Sequence, residues 1–332
     1  MFFLYLLTNE KQCVKLIDGD CMIQILLAAY NGERYIKQQL DSLFAQTVTD
    51  FELIVRDDCS TDGTFAILSE YEKKYPEKIR VYRNETPYGN AKDNFFRLMQ
   101  DADADYILFC DQDDVWMPDK IEKTLAKMKT YPQNMPVLVH TDLSVADKHL
   151  NIKKRSFFRA QHFNVQNYSF GSTLAQNNVT GCTMMINREL LNLVKNTNNS
   201  DIIMHDWWLA AAAATFGKIG VVNEPTMLYR QHSQNAVGAK GFYSAFFKKL
   251  FEIGETIGIS DTLKRTFKQS AAFLNAFSDR LSLKQNNAIQ NYANLPNLPV
   301  SKRLKTVIKY GFLKQSFLKK TAMLLHICMP NM

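Results

Sequence analysis

The chain has 332 residues, 46% of them hydrophobic and 22% charged, which is the composition of an ordinary globular protein with one large domain or two smaller ones. Its six cysteines include no CxxC pair, which argues against a zinc module or disulfide scaffold and favours a reduced, cytosolic protein. The opening run MFFLYLL is too short to cross a bilayer, and no other apolar stretch reaches that length, so we do not expect an integral membrane protein.

The net charge of +7 is distributed unevenly along the chain. From residue 240 onward there are 15 Lys and Arg against 4 Asp and Glu, whereas the remainder holds 25 basic and 29 acidic residues. A mildly acidic body with a basic tail predicts that the tail meets an anionic partner.

Strand-like and helix-like periodicities alternate from Met22 onward. Residues 1–21 fit no part of this pattern, and we interpret them as a leader or an upstream mis-start. The predicted strands cover residues 23–29, 51–55, 79–82 and 106–110. The predicted helices cover residues 33–44, 60–75, 91–100 and 118–129. This alternation predicts an α/β protein with a doubly wound, mostly parallel sheet flanked by helices, whose ligands bind outside the carboxyl ends of the strands.

The alternation loosens after about residue 131. Strands are predicted at residues 137–139, 183–186 and 219–222, and a helix at residues 206–216. Beyond about residue 240 the pattern is helical and basic.

Acidic side chains cluster directly after the fourth strand, in FCDQDDVWMPDK at residues 109–120. Asp111 and Asp113 offer two hard oxygen ligands one residue apart. Mg²⁺ or Mn²⁺ would relieve their mutual repulsion and recruit a diphosphate. The alternative is a solvated acidic turn in which Asp114 caps the following helix.

Two further polar stretches follow neighbouring strands, at the same predicted edge of the sheet. Asp57 and Asp58 begin the first stretch, and Asn31-Gly32 follows the first strand. Considered alone, the first stretch is typical of a capped helix start, and Asn31-Gly32 is typical of a tight turn.

Four stretches, taken in order, resemble family 2 glycosyltransferases of the GT-A fold: AAYNGERYI, VRDDCSTDGT, FCDQDDVWMPDK and HDWW. The ending YRQHSQNAVG, residues 229–238, is similar to that of bacterial rhamnosyltransferases that build cell-wall rhamnan and O-antigen. The resemblance implies a catalytic domain at 22–238, with a nucleotide-sugar-binding half at 22–130 and an acceptor half at 131–238. A helical, basic tail at 239–332 follows it.

The resemblance also implies roles for individual residues. The expected nucleotide-binding residues are Tyr30, Asp58 and Asp111. The expected ligands of Mg²⁺ or Mn²⁺ are Asp113, Asp111 and His232, although a lone histidine is more often structural. Asp206 matches the catalytic acid of the family, where His205-Asp206 stands in place of the usual Glu-Asp. Cys59 replaces the usual Gly of its turn, which concerns only the geometry of that turn.

Asp206 suits the chemistry of inverting sugar transfer, because a base must take the proton of the attacking acceptor hydroxyl. The alternative is that Asp206 only caps its helix, where the dipole favours a negative charge. The adjoining Trp207 and Trp208 offer aromatic faces to a sugar, although core packing is the commoner fate of large aromatic residues. Thr180 and Gly181 belong to a polar loop that resembles the family's acceptor loop.

The tail is predicted to form a basic amphipathic helix at residues 301–327, with Val307 and Phe312 on its apolar face. Such a helix can lie on an anionic membrane, and the mixed aromatic and lysine stretch at 242–251 has the same character. The alternative is a helical subdomain that covers the core. No nucleic-acid-binding motif accompanies the basic charge.

The favoured function is an inverting glycosyltransferase that moves L-rhamnose from dTDP-rhamnose onto a growing, lipid-linked cell-surface polysaccharide, in the cytoplasm at the inner face of the plasma membrane. A UDP-hexose transferase of the same fold is the alternative. A nucleotidyltransferase or phosphatase is disfavoured, since neither GxxxxGK[ST] nor DxDxT occurs. A non-catalytic, membrane-associated scaffold would retain the fold without using Asp113 and Asp206.

Overall fold

The computed structural model describes residues 22–165, 168–198, 200–232 and 256–329. The strands are β1 Ile23–Ala29, β2 Glu52–Asp57, β3 Ile79–Arg83, β4 Tyr106–Asp111, β5 Val115–Trp116, β6 Val137–Asp147, β7 Ile152–Lys154, β8 Met184–Asn187 and β9 Lys218–Gln231. The helices are α1 Ile36–Phe44, α2 Thr64–Lys74, α3 Ala91–Asp101, α4 Lys120–Met128, α5 Phe157–Gln161, α6 Phe170–Ala175, α7 Arg188–Val194, α8 His205–Phe216, α9 Thr256–Phe277, α10 Leu283–Ala293, α11 Val300–Tyr310 and α12 Phe317–Ile327.

One nine-stranded sheet runs through the molecule in the order β3-β2-β1-β4-β8-β6-β9-β5, with β7 paired to β6. The first four strands of this order are parallel to one another. β8 is antiparallel to both β4 and β6, and β6 is parallel to β9. The predicted α/β sheet with flanking helices is confirmed, and its second half is mixed rather than parallel.

Alternate residues of β1 point to opposite faces of the sheet, and each face has its own core. Leu26 belongs to one hydrophobic cluster with Phe95 of α3, whereas Ile25 and Leu27 belong to the other with Leu40 of α1. Because both faces are covered, the parallel strands are apolar throughout, which made them recognisable in the sequence.

The two longest strands extend well beyond their predicted lengths. The apolar runs at 137–139 and 219–222 are only the beginnings of β6 and β9, which pair in parallel through two register shifts. The rest of β6 mixes polar and apolar residues, and nearly all of them are buried. Asp142, for example, accepts hydrogen bonds from the backbone N–H groups of Phe157 and Phe158, each at 3.0 Å.

The tail helices pack onto the body of the α/β domain, and the predicted continuous helix at 301–327 is wrong. It is interrupted at Gly311, which has a left-handed φ of 71° and ends α11. Val307 and Phe312 of the predicted apolar face are fully buried in the cluster that contains α3 and α8. Within the described residues, no helix is both long and apolar enough to cross a membrane. The stretch at 242–251 lies outside them.

Candidate active site

A cavity of about 430 Å³ opens where β1, β2 and β4 end and α8 begins. Predicted site residues from both the 22–130 and the 131–238 segments line it: Tyr30, Asp58, Asp111, Asp113, Thr180, Gly181 and Asp206. The structure therefore brings together side chains that are spread over some 180 positions of the chain.

Gln112, the middle residue of the Asp-Gln-Asp triplet, ties the turn after β1 to the turn after β4. Its side-chain carbonyl accepts from the Tyr30 N–H at 2.8 Å, and its amide donates to the Tyr30 carbonyl at 2.7 Å. A Cβ at Gly32 would lie 2.2 Å from Gln112 Oε1, so a larger residue there would displace the Gln112 side chain from these hydrogen bonds. The ring of Tyr30 remains half-exposed at the cavity. Sequence reasoning missed Gln112, because a glutamine between two acids carries no signal of its own.

Asp58 shapes the wall of the cavity. Its carboxylate accepts hydrogen bonds from the Asn84 side chain at 2.7 Å and from the backbone N–H groups of Tyr88 at 2.7 Å and Gly89 at 2.9 Å. The carboxylate thereby fixes the loop that connects β3 to α3.

Asp113 and Asp114 are each held by residues at the end of β9. His232 Nε2 lies 2.8 Å from Asp113 Oδ2, and its ring lies against the Tyr35 ring, with the centroids 4.5 Å apart and the planes tilted by 32°. The Arg230 backbone N–H donates to Asp114 Oδ1 at 2.9 Å, and the Arg230 guanidinium donates to the Asp113 carbonyl at 2.7 Å. The predicted proximity of His232 to the acidic triplet is present in the structure. Arg230 was not predicted.

The acidic cluster is electrostatically strained. Burial, and then the charge of Asp113, raises the pKa of Asp111 to about 7, and burial raises the pKa of Asp114 well above its ordinary value. Asp114 Oδ2 is buried without a hydrogen-bond partner in the described part of the chain. A cation would relieve each of these features.

The residues fit a divalent metal. Asp111, Asp114 and Cys182 each place one ligand atom within 4.8 Å of the other two. Carboxylate oxygens suit Mg²⁺ or Mn²⁺, but a thiol does not, and burial raises the pKa of Cys182 well above its ordinary value. We therefore regard Cys182 as a buried neighbour rather than a ligand, and the carboxylates of Asp111 and Asp114 as the groups that this geometry brings within reach of one ion.

Asp206 lies in the first turn of α8 and lines the same cavity as Asp111. Its carboxylate accepts from the Gly181 N–H at 3.1 Å and the Trp207 N–H at 2.6 Å, and burial raises its pKa to about 7. The neighbouring His205 is buried between Phe95 and Phe109. Burial lowers the pKa of His205 to about 3, so it is neutral.

The two tryptophans after Asp206 do not line the cavity. Trp208 is fully buried and packs on Phe273 and Phe277 of α9 at 5.2 and 5.7 Å. The predicted contact of Trp208 with an acceptor is therefore wrong, because its ring belongs to the core. The indole N–H of Trp207 donates inward, to the Thr173 carbonyl at 2.6 Å, so its position does not support acceptor contact either.

Comparisons with known proteins agree with this geometry. The family model described as glycosyl transferase family 2 matches residues 24–193. The dTDP-rhamnosyl transferase RfbG of Shigella flexneri is 34% identical over 234 residues, which cover 68% of this chain and 78% of that protein.

Two solved structures share the fold at low sequence identity. TarS 1–349 of S. aureus, in complex with UDP-GlcNAc, has a TM-score of 0.53 at 16% identity, covering 92% of this chain and 79% of that one. The mannosyltransferase PcManGT of Pyrobaculum calidifontis, in complex with GDP-Man and Mn²⁺, has a TM-score of 0.51 at 16% identity, covering 99% and 92%. The family match, the RfbG relationship and this GT-A architecture lead to one conclusion: the chain is a glycosyltransferase that belongs to family 2.

Proposed function

We propose that this glycosyltransferase transfers a sugar from a nucleoside-diphosphate donor by a single, inverting displacement, with Asp206 as the base. The observation that carries the proposal is one cavity with two kinds of acidic group. An acidic cluster suited to a divalent ion and the carboxylate of Asp206 both line it, and, after burial and the charge of Asp113, the charge of Asp206 contributes to the raised pKa of Asp111.

Asp206 has the properties of a general base. Its raised pKa of about 7 places proton uptake near neutral pH, where a base combines sufficient ionisation with sufficient basicity. The two hydrogen bonds that its carboxylate accepts from backbone N–H groups orient the carboxylate. It then takes the proton of the acceptor hydroxyl as the hydroxyl oxygen attacks the anomeric carbon.

The other residues of the cavity are proposed to hold the nucleotide. Tyr30 offers an exposed ring to the nucleobase of the donor, and Asp58 lines the same cavity as Tyr30. A divalent ion, Mg²⁺ or Mn²⁺, held by Asp111 and Asp113 would neutralise the charge that develops on the departing diphosphate. His232 holds the Asp113 carboxylate in position for that ion.

The favoured donor is dTDP-rhamnose, and the relationship to RfbG supports it. The cavity adds a physical argument, since Leu143, Val145, Phe157 and Phe163 form an apolar part of its lining. An apolar wall suits the methyl group of a 6-deoxy sugar better than the hydroxymethyl group of a hexose. A UDP-hexose donor is the second candidate, and the fold shared with a UDP-GlcNAc complex supports it.

The proposed acceptor is a growing, lipid-linked cell-surface polysaccharide at the inner face of the plasma membrane. Direct contact of the tail with an anionic membrane is supported by its charge. The burial of Val307 and Phe312 withdraws part of the apolar face that was expected to enter the bilayer.

Calorimetric titration of the protein with dTDP-rhamnose, UDP-glucose, UDP-galactose and UDP-GlcNAc, with and without Mn²⁺, tests the donor. We expect dTDP-rhamnose to bind most tightly and only with metal. Preference for a UDP-sugar would retain the enzyme class and reject rhamnose. Failure of well-folded protein to bind any of the four donors would contradict the proposed chemistry.

A further inference from the structure

A second cavity, of about 610 Å³, adjoins the active site. The two cavities share lining residues in the loop between β3 and α3 and at the start of α8: Gly89, Asn90, Ala91 and Met204. The second cavity therefore lies against the segment that leads directly into Asp206.

The wall of this cavity is predominantly basic. Lys92 from α3 and Arg265 and Lys268 from α9 line it, together with Asp201. Lys92 lies 3.4 Å from the Asp93 carboxylate and is partly neutralised. Arg265 and Lys268 are exposed, and neither forms an ion pair with another residue in the described part of the chain.

Two features make the wall of this cavity favourable for an anion. Residues three apart on a helix share a face, so α9 presents Arg265 and Lys268 side by side. The amino end of α3, which Asn90 caps by accepting from the Asp93 N–H at 2.9 Å, contributes the positive end of its dipole. Guanidinium, ammonium and a helix amino terminus together form an arrangement that suits phosphate oxygens.

A hydrogen bond couples the basic wall to the catalytic segment. Gln269 Oε1 of α9 accepts from the backbone N–H of Ile203 at 2.9 Å, two residues before His205. Ile202 and Phe267 belong to the same hydrophobic cluster, so α9 and this segment are packed together. A ligand held by α9 would lie beside the base.

We propose that the second cavity binds a phosphate or diphosphate group carried by the acceptor, and so positions the acceptor beside Asp206. This inference rests on the proposed function and extends it to the chemistry of the acceptor. It also gives the basic tail an anionic partner other than a membrane surface.

Inorganic pyrophosphate is the probe for this cavity. The full chain is titrated calorimetrically in EDTA, so that metal-assisted binding at the acidic triplet is suppressed. Two double variants are compared: Arg265→Gln with Lys268→Gln, and a matched control, Lys302→Gln with Lys305→Gln. The control removes the same charge from exposed positions on α11 that do not line either cavity.

We expect wild-type protein and the control to bind pyrophosphate alike, and the Arg265/Lys268 variant to bind at least about tenfold more weakly, since two charge-assisted contacts are lost. No binding by wild-type protein, or equal binding by both variants, would overturn the proposal. Circular dichroism establishes that both variants are folded.

Vesicle binding distinguishes a phosphate site from a membrane contact. Donor binding shows separately whether the proposed function itself is wrong. Co-sedimentation with vesicles of three parts phosphatidylcholine to one part phosphatidylglycerol should change equally in both variants. A vesicle-binding loss confined to the Arg265/Lys268 variant, with pyrophosphate binding intact, would assign these cations to the membrane and reject the proposal. Donor binding with Mn²⁺ should be the same in all three proteins, and its failure in wild-type protein would count against the proposed function alone.

Discussion

Cys59 occupies a backbone conformation that glycine normally provides. Its φ is 61°, in the left-handed region, which costs a residue other than glycine about 1–2 kcal/mol. The Cys59 thiol donates to the Asn84 carbonyl at 3.0 Å. The residue that replaces the family's glycine therefore carries backbone strain, and the adjacent Asp58 lines the cavity.

Substitutions at Cys59 should reveal this strain. In Cys59→Gly the relief of strain is offset by the lost thiol contact and by greater freedom of the unfolded chain, so we expect a stability change within about 1 kcal/mol. Cys59→Val should destabilise by about 1–2 kcal/mol or more, because a β-branched residue tolerates positive φ poorly. Urea denaturation measures both, and a valine variant as stable as wild-type protein would refute the argument.

Asp206→Asn should separate catalysis from folding. Loss of the base should lower sugar transfer by about 10²–10⁴-fold. Stability at pH 8 should be unchanged or higher, since burial raises the pKa of Asp206 to about 7 and therefore disfavours its ionised form in the folded state. Turnover and thermal unfolding of the same preparation test both parts. An asparagine variant with wild-type turnover would exclude Asp206 as the base.

The rate of transfer should increase with pH as Asp206 becomes ionised. A base must be ionised, so kcat/KM should rise as the pH increases through about 7, the raised pKa of Asp206, and then level off. Rates measured between about pH 5.5 and 9 with donor and metal held constant provide the profile. A rate that falls across this range would require a different assignment.

At the scale of elements, the tail helices are part of the core rather than an appendage. The Phe312 ring stacks on Tyr292 of α10 at 4.2 Å and meets Phe170 of α6 edge-on at 5.8 Å. The carbonyl of Tyr310 would lie 2.1 Å from a Cβ at Gly171, so α6 approaches the end of α11 closely. Removing the tail should therefore expose apolar surface of the catalytic body.

Phe312→Ala should destabilise the protein by about 3–5 kcal/mol, because it leaves a cavity among buried rings. Ile308→Ala is the control, from the last turn of α11. Ile308 is 62% exposed, and its truncation should change stability by no more than about 0.5 kcal/mol. Denaturant unfolding measures both. Equal effects would contradict the packing of the tail.

At the scale of the whole molecule, the half of the site built on parallel strands was predictable. β1, β2 and β4 are buried on both faces and therefore appear as apolar runs, and their functional residues follow directly at the strand ends. Their common edge of the sheet was predictable on that ground, whereas the choice of Tyr30, Asp58 and Asp111 as site residues came from the family resemblance.

The second half of the site carries weaker signals. β6 buries Thr141, Asp142 and Ser144, so no apolar run marks its length. α8 is apolar on every side, and its periodicity could not show that Trp208 faces the core. Arg230 contacts Gln38 across 192 residues, a pairing that no local pattern contains.

Metal-dependent donor binding by Asp113→Asn is the decisive measurement for the proposed site. The matched control is Asp119→Asn, an exposed acid six residues away that pairs with Lys123 outside the cavity. In calorimetric titrations with dTDP-rhamnose and Mn²⁺, wild-type protein and the control should bind alike, and Asp113→Asn at least about tenfold more weakly. Binding by Asp113→Asn at wild-type affinity, or wild-type binding that does not require metal, would contradict the assignment of the acidic triplet to a metal-held diphosphate.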